Sequence, residues 1–327
     1  MPYPIGTLRR LALAPSLDSV GFAGRGFPVE PTPATARLET IPQSVVCGFE
    51  WGIETGRAAE LERRLGMIEP EMRGFAYEGA VMALTIRDSV RGHRTRDLMA
   101  GPGEPHIFLA YIGIGFAMAR LPRPLWRKLL PDLDGSPFHP TMSWLAVDGY
   151  GFDLAYFHTR RWVDEQRVPA PYPWQGDAAY FPRAVDQGIG RALWFIHGGR
   201  PVAVAAAVGR FPEERRADLW SGVGLASTFA GGCQPEEFDV LTVAAGAHRS
   251  HLALGCIFAV TARDYAGFVP EHTHAALAKL TGLTRAEAGD LALRTAVDPQ
   301  MQGPIPPYEV WRTRIREHFE TVAAPTA

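Results

Sequence analysis

Gly188-Ile189-Gly190-Arg191-Ala192 is one copy of the pattern on which the fold turns. Gly113-Ile114-Gly115, Gly149-Tyr150-Gly151 and Gly222-Val223-Gly224 share its form, a residue with a largely apolar side chain between two glycines, and the four copies lie 34 to 39 residues apart. Three copies reach an alanine two residues after the second glycine, at Ala117, Ala192 and Ala226. Single-glycine echoes one period outside, Glu78-Gly79-Ala80 and Leu254-Gly255-Cys256, extend the series to about six units. Self-similarity with a period in the thirties is the mark of stacked helical repeats.

The apolar residues around the glycines recur at helical intervals, as in Leu219, Val223, Ala226 and Phe229, or Ile189, Ala192, Leu193 and Ile196. These segments are therefore predicted helices. Shorter helical stretches at 125–133, 202–211 and 236–247 separate them, bounded by Pro124, Pro201, Pro212 and Pro235. The expected fold is mainly α, with about six helical hairpin repeats forming a superhelix or an α/α toroid. A glycine inside a helix costs about 1 kcal/mol relative to alanine. Recurring pairs therefore call for a compensating gain, either close approach of a neighbouring helix or room for a ligand. None of the pairs extends to G-x-G-x-x-G behind a strand, which excludes a dinucleotide fingerprint.

The ends read differently from the middle. Residues 1–73 hold Gly21, Gly24, Gly26, Pro28, Pro31 and Pro33, and are expected to form an irregular N-terminal segment with one short helix at 58–65. Residues 74–327 are then the helical-repeat domain, within one compact unit. Residues 159–184, with Pro169, Pro171, Pro173 and Pro182, form a long interruption of the kind that covers or lines something. Tyr308, Val310, Trp311, Ile315 and Phe319 give the C-terminal part a helical spacing suited to capping the array.

Composition narrows the function classes. The 327 residues are 46% hydrophobic, which excludes bulk disorder, and 33 basic against 35 acidic residues give no general reason to bind nucleic acid. Cys47, Cys233 and Cys256 form neither a C-x-x-C pair nor a disulfide framework, which fits a reducing, cytoplasmic setting. Residues 1–17 lack the apolar core of a secretory signal. The most apolar stretches, 107–119 and 252–262, fall short of the roughly 20 residues that cross a bilayer, so the chain is expected not to be integral to a membrane.

Common catalytic signatures are missing: no G-x-S-x-G, P-loop or H-E-x-x-H, and no paired E-x-x-H motifs of the di-iron type. The acidic residues beside the repeat glycines remain. Glu78, Asp148 and Asp186 sit at similar places in three units, so stacking is expected to bring them to one concavity as acid/base groups or as ligands of a hard metal. The alternative is that each is a helix N-terminal charge or a partner for Arg87, Arg120 or Arg191. Tyr77, Tyr150, Phe152, Arg191 and Trp220 are the candidate substrate contacts, in an apolar hollow suited to a flat unsaturated or isoprenoid ligand. His248, His251, His272 and His274 match no established closed site, so no metal is assigned. His106, where a helix begins, reads as a capping or turn residue, with a neutral imidazole held by the helix start as the alternative. No cofactor is legible.

Several runs carry a family resemblance. Cys47-Gly48-Phe49-Glu50-Trp51-Gly52, Gly74-Phe75-Ala76-Tyr77-Glu78-Gly79-Ala80, Trp144-Leu145-Ala146-Val147-Asp148-Gly149-Tyr150-Gly151-Phe152, Asp186-Gln187-Gly188-Ile189-Gly190-Arg191 and Asp218-Leu219-Trp220-Ser221-Gly222-Val223-Gly224 resemble the domain-of-unknown-function family encoded beside the iterative polyketide synthase in enediyne gene clusters. The resemblance runs from about residue 5 to about residue 275. It implies an accessory protein of enediyne biosynthesis that receives the linear conjugated polyene made by the synthase. Processing of that polyene, its non-catalytic carriage, or docking of the synthase and other pathway proteins on a helical scaffold are the roles it leaves open. The family brings no assigned catalytic residues, so the candidates above rest on the repeat alone.

Overall fold

The computed structural model describes residues 4–299 and 301–323. Among them there are helices and turns but no strand, only an isolated bridge between Trp174 and Asp177. Seven long helices follow one another in a row: α1 (Pro33–Glu54), α2 (Pro70–Asp88), α3 (Ile107–Met118), α4 (Trp144–Phe157), α5 (Phe181–Ile196), α6 (Glu213–Ala230) and α7 (Arg249–Tyr265). Each packs on the next. Short returning elements join them, among them Ala58–Gly66, Arg94–Met99, Pro201–Gly209 and Phe238–Ala245.

The glycine pairs explain the row. Residues two apart on a helix point about 200° apart, so one glycine of each pair faces the preceding helix and the other the following one. A Cβ on Gly188 would overlap the Asp148 carbonyl of α4 and lie 2.6 Å from the Phe152 nitrogen; one on Gly190 would overlap Leu219 of α6. Gly113 and Gly115 meet α2 and α4 in this way, Gly149 and Gly151 meet α3 and α5, and Gly222 and Gly224 meet α5 and α7. The last helix needs only the backward contact and has only Gly255, against Ser221 of α6. Close helix approach, not room for a ligand, offsets the propensity cost of these glycines.

Direction follows from the order of contacts. Near the start of α5, Arg183 binds Asp218 of α6 at 2.8 Å; at its end, Trp194 donates to the Gly231 carbonyl just past α6 at 2.8 Å. The two helices are parallel. Gly48 and Gly52 of α1 meeting Ala76 and then Ala80 of α2 give the same sense.

The row also closes on itself. Phe75 of α2 lies edge-on to Phe229 of α6 with ring centroids 5.4 Å apart, and Arg263 of α7 donates to the carbonyls of Glu71 at 2.8 Å and Phe229 at 2.7 Å. Phe108 of α3 meets Tyr265 of α7, and Leu38 of α1 fills the space over Gly199 and Gly232. The N-terminal halves of α1 to α3 thus sit on the C-terminal ends of α5 to α7. The ring has a superhelical offset.

Two expectations change here. Residues 1–73 are not an irregular prelude with one short helix, because α1 is the first ring member and the boundary at 73 falls inside the ring. Its Pro33 occupies the first turn, where no backbone N–H is needed, behind the Thr32/Thr35 capping box. Its Gly48 and Gly52 are contact glycines, so a helix was hidden under a Pro- and Gly-rich composition. The row accordingly has seven members where about six units were expected. The interruption at 159–184 covers the outer face, where Tyr172 packs against Trp126 and Phe181 with centroids 5.0 and 5.9 Å away.

The C-terminal helix α8 (Pro307–Ala323) plugs one end of the ring. Tyr308, Trp311, Arg312 and Ile315 are buried, with Trp311 against Phe258 and Arg312 donating to Ser221 at 2.8 Å and Glu309 at 3.0 Å. Across the other end runs an N-terminal strap, Leu17–Val20 and Phe22–Arg25. Arg25 donates to the Phe157 carbonyl at 2.6 Å, and the Tyr156 hydroxyl donates to the Val20 carbonyl at 2.5 Å. Tyr156→Phe should lower stability by about 1–3 kcal/mol, since it leaves a buried carbonyl without its donor; an unchanged urea midpoint would show that the strap is not held there.

One stretch, Pro235–Tyr265, has the length and apolarity to cross a membrane. It is broken at Gly246, which has φ of 52°, and 61% of its most apolar window is buried. It belongs to the core of the ring.

Candidate functional site: a ring cavity with an unpaired carboxyl

The ring encloses a cavity of about 1130 Å³, counting the part continuous with solvent. All seven helices line it, through Phe49, Phe75, Phe108, Phe116, Phe152, Phe195, Phe229, Phe258 and aliphatic neighbours. The register is regular. The residue three after the first glycine of each unit points inward, giving Met82, Phe116, Phe152, Arg191, Leu225 and Phe258. Among the described residues four charged side chains reach the wall: Glu78, Arg191, Arg120 and Asp153.

Arg120 and Asp153 pair at 2.7 Å, with Arg120 38% exposed and its guanidinium over the Phe157 ring. They mark the solvent side. Glu78 and Arg191 are buried. Glu78 is 4% exposed and has no hydrogen bond or ion pair within reach. Burial pushes its carboxyl up to about 8; nearby Arg191 opposes that rise and Asp148 adds to it. Arg191 Nη1 lies 3.0 Å from Asp148 Oδ1, yet that oxygen accepts no aligned hydrogen bond. Asp148 is raised to about 6, burial outweighing the pull of Arg191 and of Arg312. At neutral pH the pair of environments leaves Glu78 protonated beside an ionised Asp148, the separation that distinguishes an acid from its neighbour.

The three carboxylates do not converge as expected. Glu78 faces the cavity and Asp148 stands directly behind Arg191, but Asp186 lies off the wall in a two-pronged bond from Arg215, at 2.9 and 2.6 Å. The reason is rotational. Glu78 and Asp148 precede their glycine by one residue, whereas Asp186 precedes Gly188 by two, which turns it about 100° away. Its register is that of Tyr77 and Trp220, and neither of those lines the cavity either. Tyr77 stacks on His106 at 4.7 Å, and Tyr150, lying between its two glycines, packs outward on Trp126 at 4.9 Å. Of the five candidate contacts, Phe152 and Arg191 reach the wall.

The position truly equivalent to Glu78 and Asp148 is Gln187 on α5 and Ser221 on α6. Both join a buried polar network under the cavity: Gln187 donates to Tyr180 at 3.0 Å and Asp218 at 2.9 Å, while Ser221 accepts from Arg312. Arg120, Asp153, Tyr180, Asp218 and Arg312 lie outside that register position or on α8, and Gln187 and Ser221, which keep it, carry no charge to single them out in the sequence.

The histidines stay apart. His248 meets Glu213 at 2.9 Å near the start of α7, whereas His272 meets the Phe229 carbonyl at 3.2 Å, at the far end of α6. Among the described residues no group of three side chains is placed to hold a metal ion. His106 is pushed down to about 4 by burial and by Arg73 and Arg263, so it is neutral for reasons of packing more than of helix position.

No curated protein and no solved structure matches the chain. Residues 4–319 match the family described as "Protein of unknown function (DUF1702)", and this span takes in the plug helix α8, past the reach of the resemblance seen in sequence. A match over nearly the whole ring and its plug establishes that the chain belongs to the DUF1702 family.

Proposed function

We propose that the protein encloses a linear conjugated polyene, of the kind an iterative polyketide synthase releases in enediyne biosynthesis, and shifts its double bonds by proton transfer from Glu78. The observation that carries this reading is an apolar cavity inside the ring, open to solvent on one side, with one unpaired carboxyl on its wall that burial pushes up to about 8. Pockets for small molecules are mostly apolar with few polar groups, and this wall has that balance. Burial of a polyene at roughly 25 cal/mol per Å² of apolar surface supplies the binding energy. Glu78 gives its proton to one carbon of the chain and takes a proton back from another. The double bonds move, nothing is oxidised or reduced, and the Arg191 guanidinium stabilises the carboxylate between the two transfers. Asp148 positions Arg191 from behind.

A docking scaffold is the weaker reading, since α8 and the core aromatics fill the concave face that a partner would need. The discriminating experiment adds the synthase-derived polyene to the purified protein and records the conjugated absorption before and after extraction. Stoichiometric binding with a shifted chromophore after extraction is expected for the wild type. Binding with the chromophore recovered unchanged leaves a carrier, and no binding ends the proposal.

A further inference from the structure

Four arginines are buried among the described residues: Arg191, Arg215, Arg263 and Arg312. Three are anchored by aligned hydrogen bonds, although Nε of Arg263 has no partner. Arg215 donates to Asp186 and the Gln166 carbonyl, Arg263 to two backbone carbonyls, and Arg312 to Glu309 and Ser221. Arg191 is the exception. It has a misaligned charge contact with Asp148 and lies 5.0 Å over the Phe152 ring, with no aligned hydrogen bond from any of its five N–H groups. Buried polar groups are almost always hydrogen-bonded, so unused donors facing a cavity mark the place of an absent acceptor.

Glu78 stands on the same wall, equally without a partner, and in its protonated form offers an O–H donor. Donors from two helices therefore face one apolar space. The acceptor they fit is neutral: Asp148 already balances the charge of Arg191, and a second anion there would be left uncompensated in an apolar environment. A hydroxyl would bring a donor of its own in need of a partner. A carbonyl oxygen accepts from both sides and brings no donor.

We propose that the conjugated ligand carries a carbonyl group, and that its oxygen takes the hydrogen bonds left unused by Arg191 and Glu78. This rests on the reading that the cavity binds a polyene. Covalent capture is not involved, because Lys128 and Lys279 are the two lysines of the chain and neither lines the cavity.

The test uses one tail with three heads: a linear conjugated tetraene whose end carries, in direct conjugation, an aldehyde or a carboxylic acid, and the same tetraene ending in a methyl group, each titrated into the full-length protein. The aldehyde should bind about tenfold more tightly than the hydrocarbon, and its absorption should move to longer wavelength as its oxygen accepts hydrogen bonds. Changing Arg191→Gln together with Asp148→Asn, which leaves no orphaned charge, should remove both effects and leave the hydrocarbon's affinity as it was. Equal affinity for aldehyde and hydrocarbon would overturn the carbonyl assignment while leaving the cavity reading intact, and tighter binding of the acid would replace it with an anion site. Failure of all three to bind would sink the cavity reading and this inference with it.

Discussion

Gly188→Ala should prevent the ring from closing, while Gly289→Ala should make the protein slightly more stable. In an isolated helix both changes gain about 1 kcal/mol, since alanine is the better helix former. Context reverses the sign at one of them. Nothing lies within 4 Å of a Cβ on Gly289, in the helix Arg285–Thr295, so the intrinsic gain of ~0.5–1 kcal/mol should appear there undiminished. At Gly188 the added carbon overlaps the Asp148 carbonyl oxygen and stands 2.6 Å from the Phe152 nitrogen. Both obstacles are backbone, so no rotamer change relieves them. The two helices must separate by something on the order of 1 Å to restore normal contact distances.

An open array would accommodate that shift by fanning out, but here α5 is fixed on its other side by Gly190 against α6, and the ends of the row are locked through Phe75, Phe229 and Arg263. Overpacking of even ordinary cores costs 1–3 kcal/mol, occasionally more. A backbone collision in a closed ring belongs at the top of that range or beyond it, a large share of a typical 5–15 kcal/mol stability. The variant should be recovered mainly as insoluble protein, or with a melting temperature many degrees lower. A soluble Gly188→Ala protein melting with the wild type would show that the helices are not in backbone contact.

The same glycines show how much of the molecule is legible in its sequence. Their period gives the helices, their order along the row and the inward face, because small residues at fixed spacing have a direct geometric consequence. What they do not give is the rotation of each neighbouring residue unless the register is kept to one position. Asp186 reads as a counterpart of Glu78 and Asp148 because all three lie just before a repeat glycine, yet it stands one residue further from its glycine and faces Arg215. Kept strictly, the register picks out Met82, Phe116, Phe152, Arg191, Leu225 and Phe258, and it shows Arg191 as the single charged member. The choice between an open superhelix and a closed toroid, and the seat of the capping helix that the spacing of Tyr308 to Phe319 suggests, were beyond that logic. They depend on contacts between units far apart in the chain, such as Arg312 with Ser221, which no local periodicity encodes.

Glu78→Gln should flatten the fall of stability with pH. In the folded protein the carboxyl is held at about 8, against an ordinary 4.5 in the unfolded chain. Between those values the native state keeps a proton that the unfolded state has released. The native state thus binds more protons, and stability declines as pH rises through the window. The decline is at most about 1.4 kcal/mol per pH unit, so across about 4.5 to 8 the cost reaches a few kcal/mol and levels off above. Glutamine keeps the shape of the protonated acid and has no proton to lose. Asp148 and Asp186, each raised to about 6 by burial, impose a similar slope between about 3.8 and 6, but they do so in both proteins and cancel in the comparison. Melting temperatures measured in parallel should differ little at pH 4 to 5, with the variant pulling ahead progressively up to pH 8 to 9. Parallel curves over the whole range would mean that Glu78 ionises freely. A carboxylate already charged at neutral pH has no proton to donate, so the same result would remove it as the acid of the proposed double-bond shift.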